Sequence, residues 1–408
     1  MKMLKKLKNI GPGLIVTAAF MGPGTVTTAS ITGASFGFAL LWAIAFSTAA
    51  TVILQEMAGR LGLVSRQGLG EALAKSFDTP IVRIGAITLM IAAIAFGNAA
   101  FETGNIIGTA IGLEAIVGGS TQLWSVVIGI IAFILLFLGI YKLIEKVLVG
   151  LVLVMSVVFL LSAIVARPDL GAVVSGLFIP TIPEGSLVSV IALIGTTVVP
   201  YNLFLHSNSV QEKWPDESSV RASISESRFD TIISIALGGL ITMAILSTSA
   251  AAFFGTGATI DSAGAMAEQL EPLLGPAAGL FFATGLFAAG ITSTITAPLA
   301  TAYTICGALG WEQNLKTTKF RIIWIITLVV GTVLAASGTR PLQAIVFAQA
   351  ANGLLLPLVA VFLLFVMNRS DLLGAYKNTA VSNLLGFSVV LVATLLGANS
   401  LLKAFGVL

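Results

Sequence analysis

Long, continuous apolar runs are the feature that most constrains how this chain can fold. A bilayer core of about 30 Å is crossed by about 20 consecutive apolar helical residues. Runs of this kind lie near residues 10–34, 38–59, 84–113, 121–140, 146–166, 186–207, 230–254, 276–307, 322–338, 342–367 and 380–402. The runs do not alternate, and a backbone in lipid must satisfy its own hydrogen bonds. We therefore predict an all-α polytopic membrane protein with eleven transmembrane helices.

The composition argues against a soluble enzyme or a nucleic-acid-binding protein. Charged residues make up 10% of the chain and hydrophobic residues 57%, whereas soluble domains carry about 25% charged residues. The net charge is only +3 and the basic residues are scattered, so we expect no nucleic-acid partner. The single cysteine, Cys306, rules out an internal disulfide and a multi-cysteine metal site. No nucleophile–base set or phosphate loop is visible, so we expect no enzymatic activity, no cofactor and no bound metal.

The distribution of lysine and arginine predicts the orientation in the membrane. Cytoplasmic loops carry an excess of these residues. With a cytoplasmic N-terminus, only Arg167, Arg340 and Lys403 fall outside. The residues that fall inside are Lys2, Lys5, Lys6, Lys8, Arg60, Arg66, Lys75, Arg83, Lys142, Lys146, Lys213, Arg221, Arg228, Lys316, Lys319, Arg321, Arg369 and Lys377. This asymmetry predicts a cytoplasmic N-terminus and, with an odd number of spans, a C-terminus outside.

Two of the predicted spans are interrupted near their middle. The first contains Gly-Pro-Gly-Thr at 22–25 and the sixth contains Val-Val-Pro-Tyr-Asn at 198–202. Proline removes a backbone donor and glycine tolerates unusual φ, so such stretches break or kink a helix. One interruption alone is explained equally well by a kink. Two at matching positions, five helices apart, favour inverted repeats with a transport site between discontinuous helices.

Motifs along nearly the whole chain resemble the natural-resistance-associated macrophage protein (Nramp) family of divalent-metal transporters. The similar stretches include 11–14 (Gly-Pro-Gly-Leu), 202–207 (Asn-Leu-Phe-Leu-His-Ser), and Gln349 with Pro357. The resemblance implies a LeuT-type fold with broken helices 1 and 6. It implies one transmembrane transporter domain over 1–408, with inverted repeats at about 10–166 and 186–367 and an extra helix at about 380–402. We expect an integral protein of the bacterial plasma membrane.

The chain departs from the family pattern at the positions that hold the metal. Family members that carry transition metals have Asp-Pro-Gly-Asn in helix 1 and Met-Pro-His-Asn in helix 6. Gly22, Thr25 and Val199 replace the aspartate, asparagine and methionine ligands, and Tyr201 replaces the histidine of the proton route. A dehydrated divalent cation needs hard oxygen or soft sulfur ligands, usually with a carboxylate. These replacements argue against high-affinity manganese or iron transport.

The altered centre suggests a small anion as substrate. The half-helices that begin near Thr25 and Asn202 present their N-termini, each with about half a positive charge, to the centre. We therefore predict uptake of bicarbonate or a small carboxylate, with the lipid bilayer as the surroundings and protein partners unknown. The predicted substrate-binding residues are Gly22, Pro23, Gly24, Thr25, Val199, Tyr201, Asn202 and Gln349.

Coupling to H⁺ or Na⁺ is predicted from polar residues within the spans. Buried membrane carboxylates are costly and are functional candidates by default. The coupling candidates are Glu102, Asn105, His206, Thr292 and Ser293. Each also has a structural interpretation: a hydrogen bond for Glu102, packing for the lone histidine His206, and helix packing for the hydroxyls.

Three alternatives to anion uptake remain at this point, and the last of them is a carrier of a small neutral solute, whose binding would be insensitive to the ligand's charge. The first is a proton-coupled divalent-metal transporter for Mn²⁺ or hydrated Mg²⁺, against which Gly22 argues because members that take magnesium are expected to keep an acidic ligand. The second is a transporter-like sensor or scaffold that binds its ligand without turnover. The two helix breaks favour motion and so argue mildly against the sensor.

Overall fold

The computed structural model describes residues 11–139, 141–215, 220–258, 260–338 and 340–404, and side chains are described except at Leu14, 141–149 and 403–404. The basic tail Lys2, Lys5, Lys6 and Lys8, used above to predict orientation, lies outside these residues. The helices are α1 Pro12–Phe20, α2 Pro23–Phe36, α3 Leu41–Ser65, α4 Leu69–Lys75, α5 Pro80–Val117, α6 Thr121–Leu138, α7 Tyr141–Val165, α8 Leu170–Phe178, α9 Leu187–Thr197, α10 Pro200–Lys213, α11 Val220–Phe253, α12 Ala263–Ala267, α13 Glu271–Leu274, α14 Ala278–Leu309, α15 Thr318–Ala336, α16 Pro341–Met367, α17 Ser370–Leu373 and α18 Ala380–Ala404.

The long helices correspond to the predicted spans. Within the described ranges, nine helices or helix pairs are long and apolar enough to cross a membrane. A tenth candidate is the pair Gly150–Val165 and Leu170–Phe178, which is bent by 119° at its break. The first predicted span is two short helices, α1 and α2, separated by two residues. The sixth is α9 followed by α10. Both interruptions therefore fall where the Gly-Pro and Val-Pro pairs predict them.

The interrupted helices lie at the centre of the bundle. Of the most apolar window of α9 and α10, 89% is buried inside the protein, whereas the corresponding value for α18 is 22%. α2 packs against α11, α9 packs against α16, and α14 packs along α5. The outer helices, in contrast, expose many large apolar side chains, as expected where a helix faces lipid. This arrangement surrounds both breaks with other helices.

Several predicted boundaries differ from the observed helices. α11 begins at Val220, about ten residues before the predicted start of the seventh span, and α5 extends the third span at both ends. The sequence Arg-Ala-Ser-Ile-Ser-Glu-Ser-Arg at 221–228 is too polar to register as a membrane run. It is nevertheless helical, because Ser223, Ile224 and Ser227 are buried on one face of α11. Hydropathy therefore marked only the part of the helix that lies in lipid.

Candidate functional site at the two helix breaks

The first break is stabilised by contacts within and between helices. α1 ends at Phe20, and Gly22 is the N-cap of α2, with Pro23 in its first turn. Thr25 is fully buried; its hydroxyl donates to the backbone carbonyl of Phe20 and lies 2.7 Å from the hydroxyl of Thr196 on α9. The Thr25 side chain therefore ties the two halves of the broken helix to each other and to the second broken helix.

The second break has the same form. α9 ends at Thr197, and Val199 is the extended N-cap residue before Pro200 opens α10. The amide N–H of Asn202 donates to the carbonyl of Val199 at 3.0 Å. The Asn202 side chain is fully buried, and neither of its amide atoms has a protein hydrogen-bond partner.

Each break exposes helix ends of both polarities. The last carbonyls of a helix and its first N–H groups have no partner inside the helix, and they carry partial negative and positive charge respectively. α1 and α9 end at the breaks, and α2 and α10 begin there. The centre is therefore lined by carbonyl oxygens as well as by N–H groups, and its backbone field does not favour anions alone.

Three other helices bring polar side chains to the first break. A methyl group added at Gly22 would lie 2.7 Å from the Ser293 hydroxyl of α14 and 3.7 Å from the amide oxygen of Asn105 of α5. A methyl group at Gly24 would overlap the side-chain amide of Gln349 on α16. The two glycines thus make room for these three side chains.

At the two breaks, four side-chain oxygen atoms of asparagine, glutamine and serine residues are buried without a protein partner. They are Asn105 Oδ1, Asn202 Oδ1, Ser293 Oγ and Gln349 Oε1, in residues that are all fully buried. We call Asn105, Asn202, Ser293 and Gln349 the polar centre. A buried polar group left without a hydrogen bond costs about 1–3 kcal/mol, so such a concentration indicates a place for a ligand or its water.

Glu102 is joined to the polar centre through Asn105. The carboxyl is fully buried on α5, and its Oε2 accepts a long hydrogen bond of 3.4 Å from Asn105 Nδ2. Its Oε1 has no protein partner. Gly331 of α15 packs so closely that an added methyl group would lie 2.6 Å from Glu102 Cγ. The amide of Asn105 thus connects the carboxyl with the break at Gly22.

Three other predicted substrate-binding residues, Pro23, Val199 and Tyr201, lie at the breaks. Pro23 packs against Gly108 of α5 at the first break. Val199 and Tyr201 are buried at the second; the Tyr201 ring packs edge-on against Phe101 with centroids 5.5 Å apart, and its hydroxyl has no protein partner.

His206 and Thr292 differ from the residues of the polar centre, because a side-chain atom of each has a hydrogen-bond partner elsewhere. His206 lies one turn beyond Asn202, and its Nε2 is 3.2 Å from the hydroxyl of Thr231 on α11. The hydroxyl of Thr292 donates to the Ala288 carbonyl of its own helix at 2.8 Å. It is Ser293, one residue on, whose hydroxyl is without a partner.

Sequence reasoning missed Thr196, which pairs with Thr25 across the two broken helices. The available signal was the pair of threonines directly before the second break, Thr196 and Thr197. Among the described residues there is no group of three or more His, Cys, Asp or Glu side chains placed to hold a metal. Any ion at this centre would therefore be held mainly by neutral oxygens.

Comparison with known proteins gives a consistent result. The family model described as natural resistance-associated macrophage protein-like matches residues 13–403. The divalent metal cation transporter MntH of Yersinia pestis (strain Pestoides F) is 29% identical over 406 residues, covering 98% of this chain and 95% of the relative. The protein of the same name from Klebsiella pneumoniae subsp. pneumoniae is 30% identical over 393 residues, covering 94% and 91%.

Solved structures agree with these relatives. A crystal structure of the Eremococcus coleocola manganese transporter, in complex with an aromatic bis-isothiourea compound, superposes with a TM-score of 0.78 at 26% identity and covers 98% of this chain and 87% of the transporter. The nucleobase-cation-symport-1 family transporter Mhp1 gives 0.62 at 17% identity, covering 97% and 93%. MhsT gives 0.62 at 16%, covering 96% and 98%. The last two show the fold alone, and the predicted LeuT-type fold is confirmed.

The prediction of a small anion as substrate is wrong, since the relatives are named divalent metal cation transporters and a structural neighbour is a manganese transporter. Two physical reasons are visible. The prediction counted only the N-termini of α2 and α10, whereas the carbonyl ends of α1 and α9 lie at the same breaks. It also treated the centre as lacking a carboxyl, whereas Glu102 is connected to it through Asn105.

Proposed function

The chain belongs to the natural resistance-associated macrophage protein family, and on that basis we propose that it is a secondary-active transporter of a divalent metal cation. The observation that carries the proposal is the cluster of fully buried, unpartnered oxygen atoms at the two breaks, with Glu102 one side chain away. Oxygen atoms are the ligands of hard cations such as Mg²⁺ and Mn²⁺.

The ligand chemistry narrows the choice of metal. The position of the family's methionine is Val199, and the thioether of Met21 at the first break accepts a hydrogen bond from the Thr242 hydroxyl at 3.6 Å. The polar centre itself supplies amide and hydroxyl oxygens. Mg²⁺ loses its water reluctantly and is usually bound with several waters retained. We therefore propose a partly hydrated Mg²⁺ or Mn²⁺ as substrate, with backbone carbonyls and the polar centre as its protein ligands.

Coupling is proposed to use protons, with Glu102 as the group that gains and loses the proton. It is a fully buried carboxyl with one unpartnered oxygen, and a buried carboxyl is stable in lipid only when it is neutral or near a cation. A cation at the polar centre favours the charged form, so metal binding releases a proton. His206 is a second candidate, and Ser293 would serve instead if the coupling ion were Na⁺.

Several further features belong to the same proposal. We propose one transporter domain with inverted repeats at about 10–166 and 186–367 and an added helix at about 380–402. The location would be the bacterial plasma membrane, with the N-terminus in the cytoplasm and the C-terminus outside. No enzymatic activity is proposed for it.

The proposal is tested by metal uptake into proteoliposomes with and without an inward proton gradient. We expect saturable uptake of Mg²⁺ or Mn²⁺, accelerated by the gradient. Gly22→Asp places a carboxylate beside Ser293 and Asn105. Since a hydrogen bond or ion contact with a charged group contributes about 1.5–3 kcal/mol, the affinity for Mn²⁺ should rise about tenfold to a hundredfold.

The matched control is Gly85→Asp, because Gly85 lies in open space on α5 with no atom within 4 Å of an added methyl group. This variant should leave the Mn²⁺ affinity unchanged. Glu102→Gln should abolish the acceleration by the proton gradient while metal still binds. Absence of saturable uptake of both metals by the wild-type protein would contradict the proposal.

A further inference from the structure

A lipid-facing groove lies along the face of α16 that carries Ala344 and Phe347. It is formed by α5, α15 and α16 and has a volume of about 610 Å³. Its walls include Phe96, Ala100, Ala344, Phe347 and Ala351. Phe96 and Phe347 are 66% and 65% exposed, which for helices in a bilayer means that they contact lipid.

One end of the groove is cationic. Arg340 and Gln343 line it there, and both side chains are exposed. Across the described residues, no hydrogen bond or ion pair engages the Arg340 guanidinium. Arg340 also directly precedes α16, a helix of 27 residues, so the N–H groups of its first turn add to the positive potential. An anionic group at this end would meet a guanidinium that no described residue pairs.

The length of the groove matches one leaflet of a bilayer. Its lining along α16 runs from Arg340 to Ala351, which at 1.5 Å per residue is roughly 16 Å. Half of a bilayer core of about 30 Å is close to this distance. A molecule with its anionic head on Arg340 and its acyl chain on Phe347 and Ala351 would lie in the groove as a phospholipid lies in a leaflet, with its head at the membrane surface and its chain towards the bilayer centre.

A second groove continues from the same two aromatic residues. It has a volume of about 700 Å³, and its lining shares Phe96, Phe347 and Ala351 with the first. The two phenylalanines therefore form a ridge between two largely apolar channels, the second of which also has Glu184 in its lining. This form suits the two acyl chains of a diacyl lipid, one on each side of the ridge.

We propose that this groove is a binding site for an anionic phospholipid, with the phosphate on Arg340 and the acyl chains on either side of Phe96 and Phe347. The site is independent of the proposed metal substrate. It adjoins the polar centre, because Ala348 in the groove wall precedes Gln349, and a methyl group added at Gly104 of α5 would lie 3.2 Å from the Ala348 methyl. A bound lipid would thus pack on the helices that carry Asn105 and Gln349.

The experiment is native mass spectrometry of the detergent-solubilised protein with equal amounts of phosphatidylglycerol and phosphatidylcholine of identical chains. One basic side chain near an anionic lipid contributes about 1 kcal/mol, so the wild-type protein should retain phosphatidylglycerol about fivefold more strongly. Arg340→Gln should remove this preference. The control is Arg83→Gln. Arg83 is an exposed arginine in the first turn of α5, away from the groove, so this variant should keep the preference for phosphatidylglycerol.

Filling the groove gives a second, charge-independent test. Ala344→Trp and Ala100→Trp place a large ring in the groove from α16 and from α5, and each should reduce retention of both lipids after extensive delipidation. Two positions are used so that a variant that misfolds does not decide the result. Equal retention of the two lipids by the wild-type protein would overturn the proposal, as would a preference that survives in Arg340→Gln.

Discussion

Asp230 anchors the first half of the broken first helix, and its removal gives the sharpest prediction for the fold. The residue lies on α11, and 2% of it is exposed. Its carboxylate oxygens accept the N–H of Gly11 at 3.1 Å and of Gly13 at 2.7 Å, and Oδ1 also accepts from the Ser234 hydroxyl at 3.3 Å. The first turn of α1 is thus capped by a side chain from another helix.

The cost of Asp230→Ala follows from these contacts. A hydrogen bond to a charged group contributes about 1.5–3 kcal/mol, and a charge at a helix N-terminus adds about 0.3–1 kcal/mol. The loss of two such bonds together with the charge at the helix N-terminus gives a destabilisation of about 3–7 kcal/mol. With an unfolding entropy of about 2 cal/mol/K per residue over 408 residues, the melting temperature should fall by roughly 4–9 °C.

The assay is thermal unfolding in detergent, combined with labelling of a cysteine introduced at Val16 on α1. Val16 is fully buried, so labelling reports release of α1. Asp230→Asn keeps an acceptor oxygen and should lose less than half as much. The control Asp169→Ala removes an exposed cap whose Oδ1 accepts only from Gly171 N–H at 2.8 Å; it should cost about 1 kcal/mol and leave Val16 protected. If Asp230→Ala melted like the wild type, the anchoring of α1 by this carboxylate would be refuted.

Two further predictions concern other contacts. Gly331→Ala should displace Glu102, whose Cγ would lie 2.6 Å from the added methyl group, and should lower the stability by about 1–3 kcal/mol. Gly85→Ala is the control, because an added methyl group there lies in open space, and it should leave the stability unchanged. Equal melting temperatures for the two variants would contradict this prediction. The hydrogen bond from Arg369 lowers the pKa of Asp371. The stability from this pair is therefore complete above the ordinary carboxyl pKa of about 3.9 and is lost as the pH falls through the lowered value. The difference in melting temperature between the wild type and Asp371→Asn should be constant from pH 8 to pH 5 and shrink below about pH 4, and a change near pH 6 would exclude this origin.

The local features of the fold could be predicted from the sequence because their causes are local. Apolar runs of bilayer length become helices, because lipid offers no hydrogen-bond partners and a helix pairs its own backbone N–H and carbonyl groups. The proline at position 23 and the proline at position 200 end one helix and begin another, since proline lacks the N–H that would continue the helix. Both breaks therefore lie where the sequence predicts them. The polar start of α11 was not predicted, because hydropathy measures contact with lipid and not helix formation.

The contents of the site were decided by the tertiary structure, because they depend on residues far apart in the chain. Thr25 is one of the predicted substrate-binding residues, and only the packing shows that its hydroxyl donates to the Phe20 carbonyl and lies close to the Thr196 hydroxyl. Asn105, Ser293 and Gln349 reach the first break from three separate helices. The polarity of the centre likewise depends on both ends of each broken helix and on a carboxyl linked through Asn105. The sequence alone therefore determined where the helices break, and only the packing determined which oxygen atoms surround those breaks.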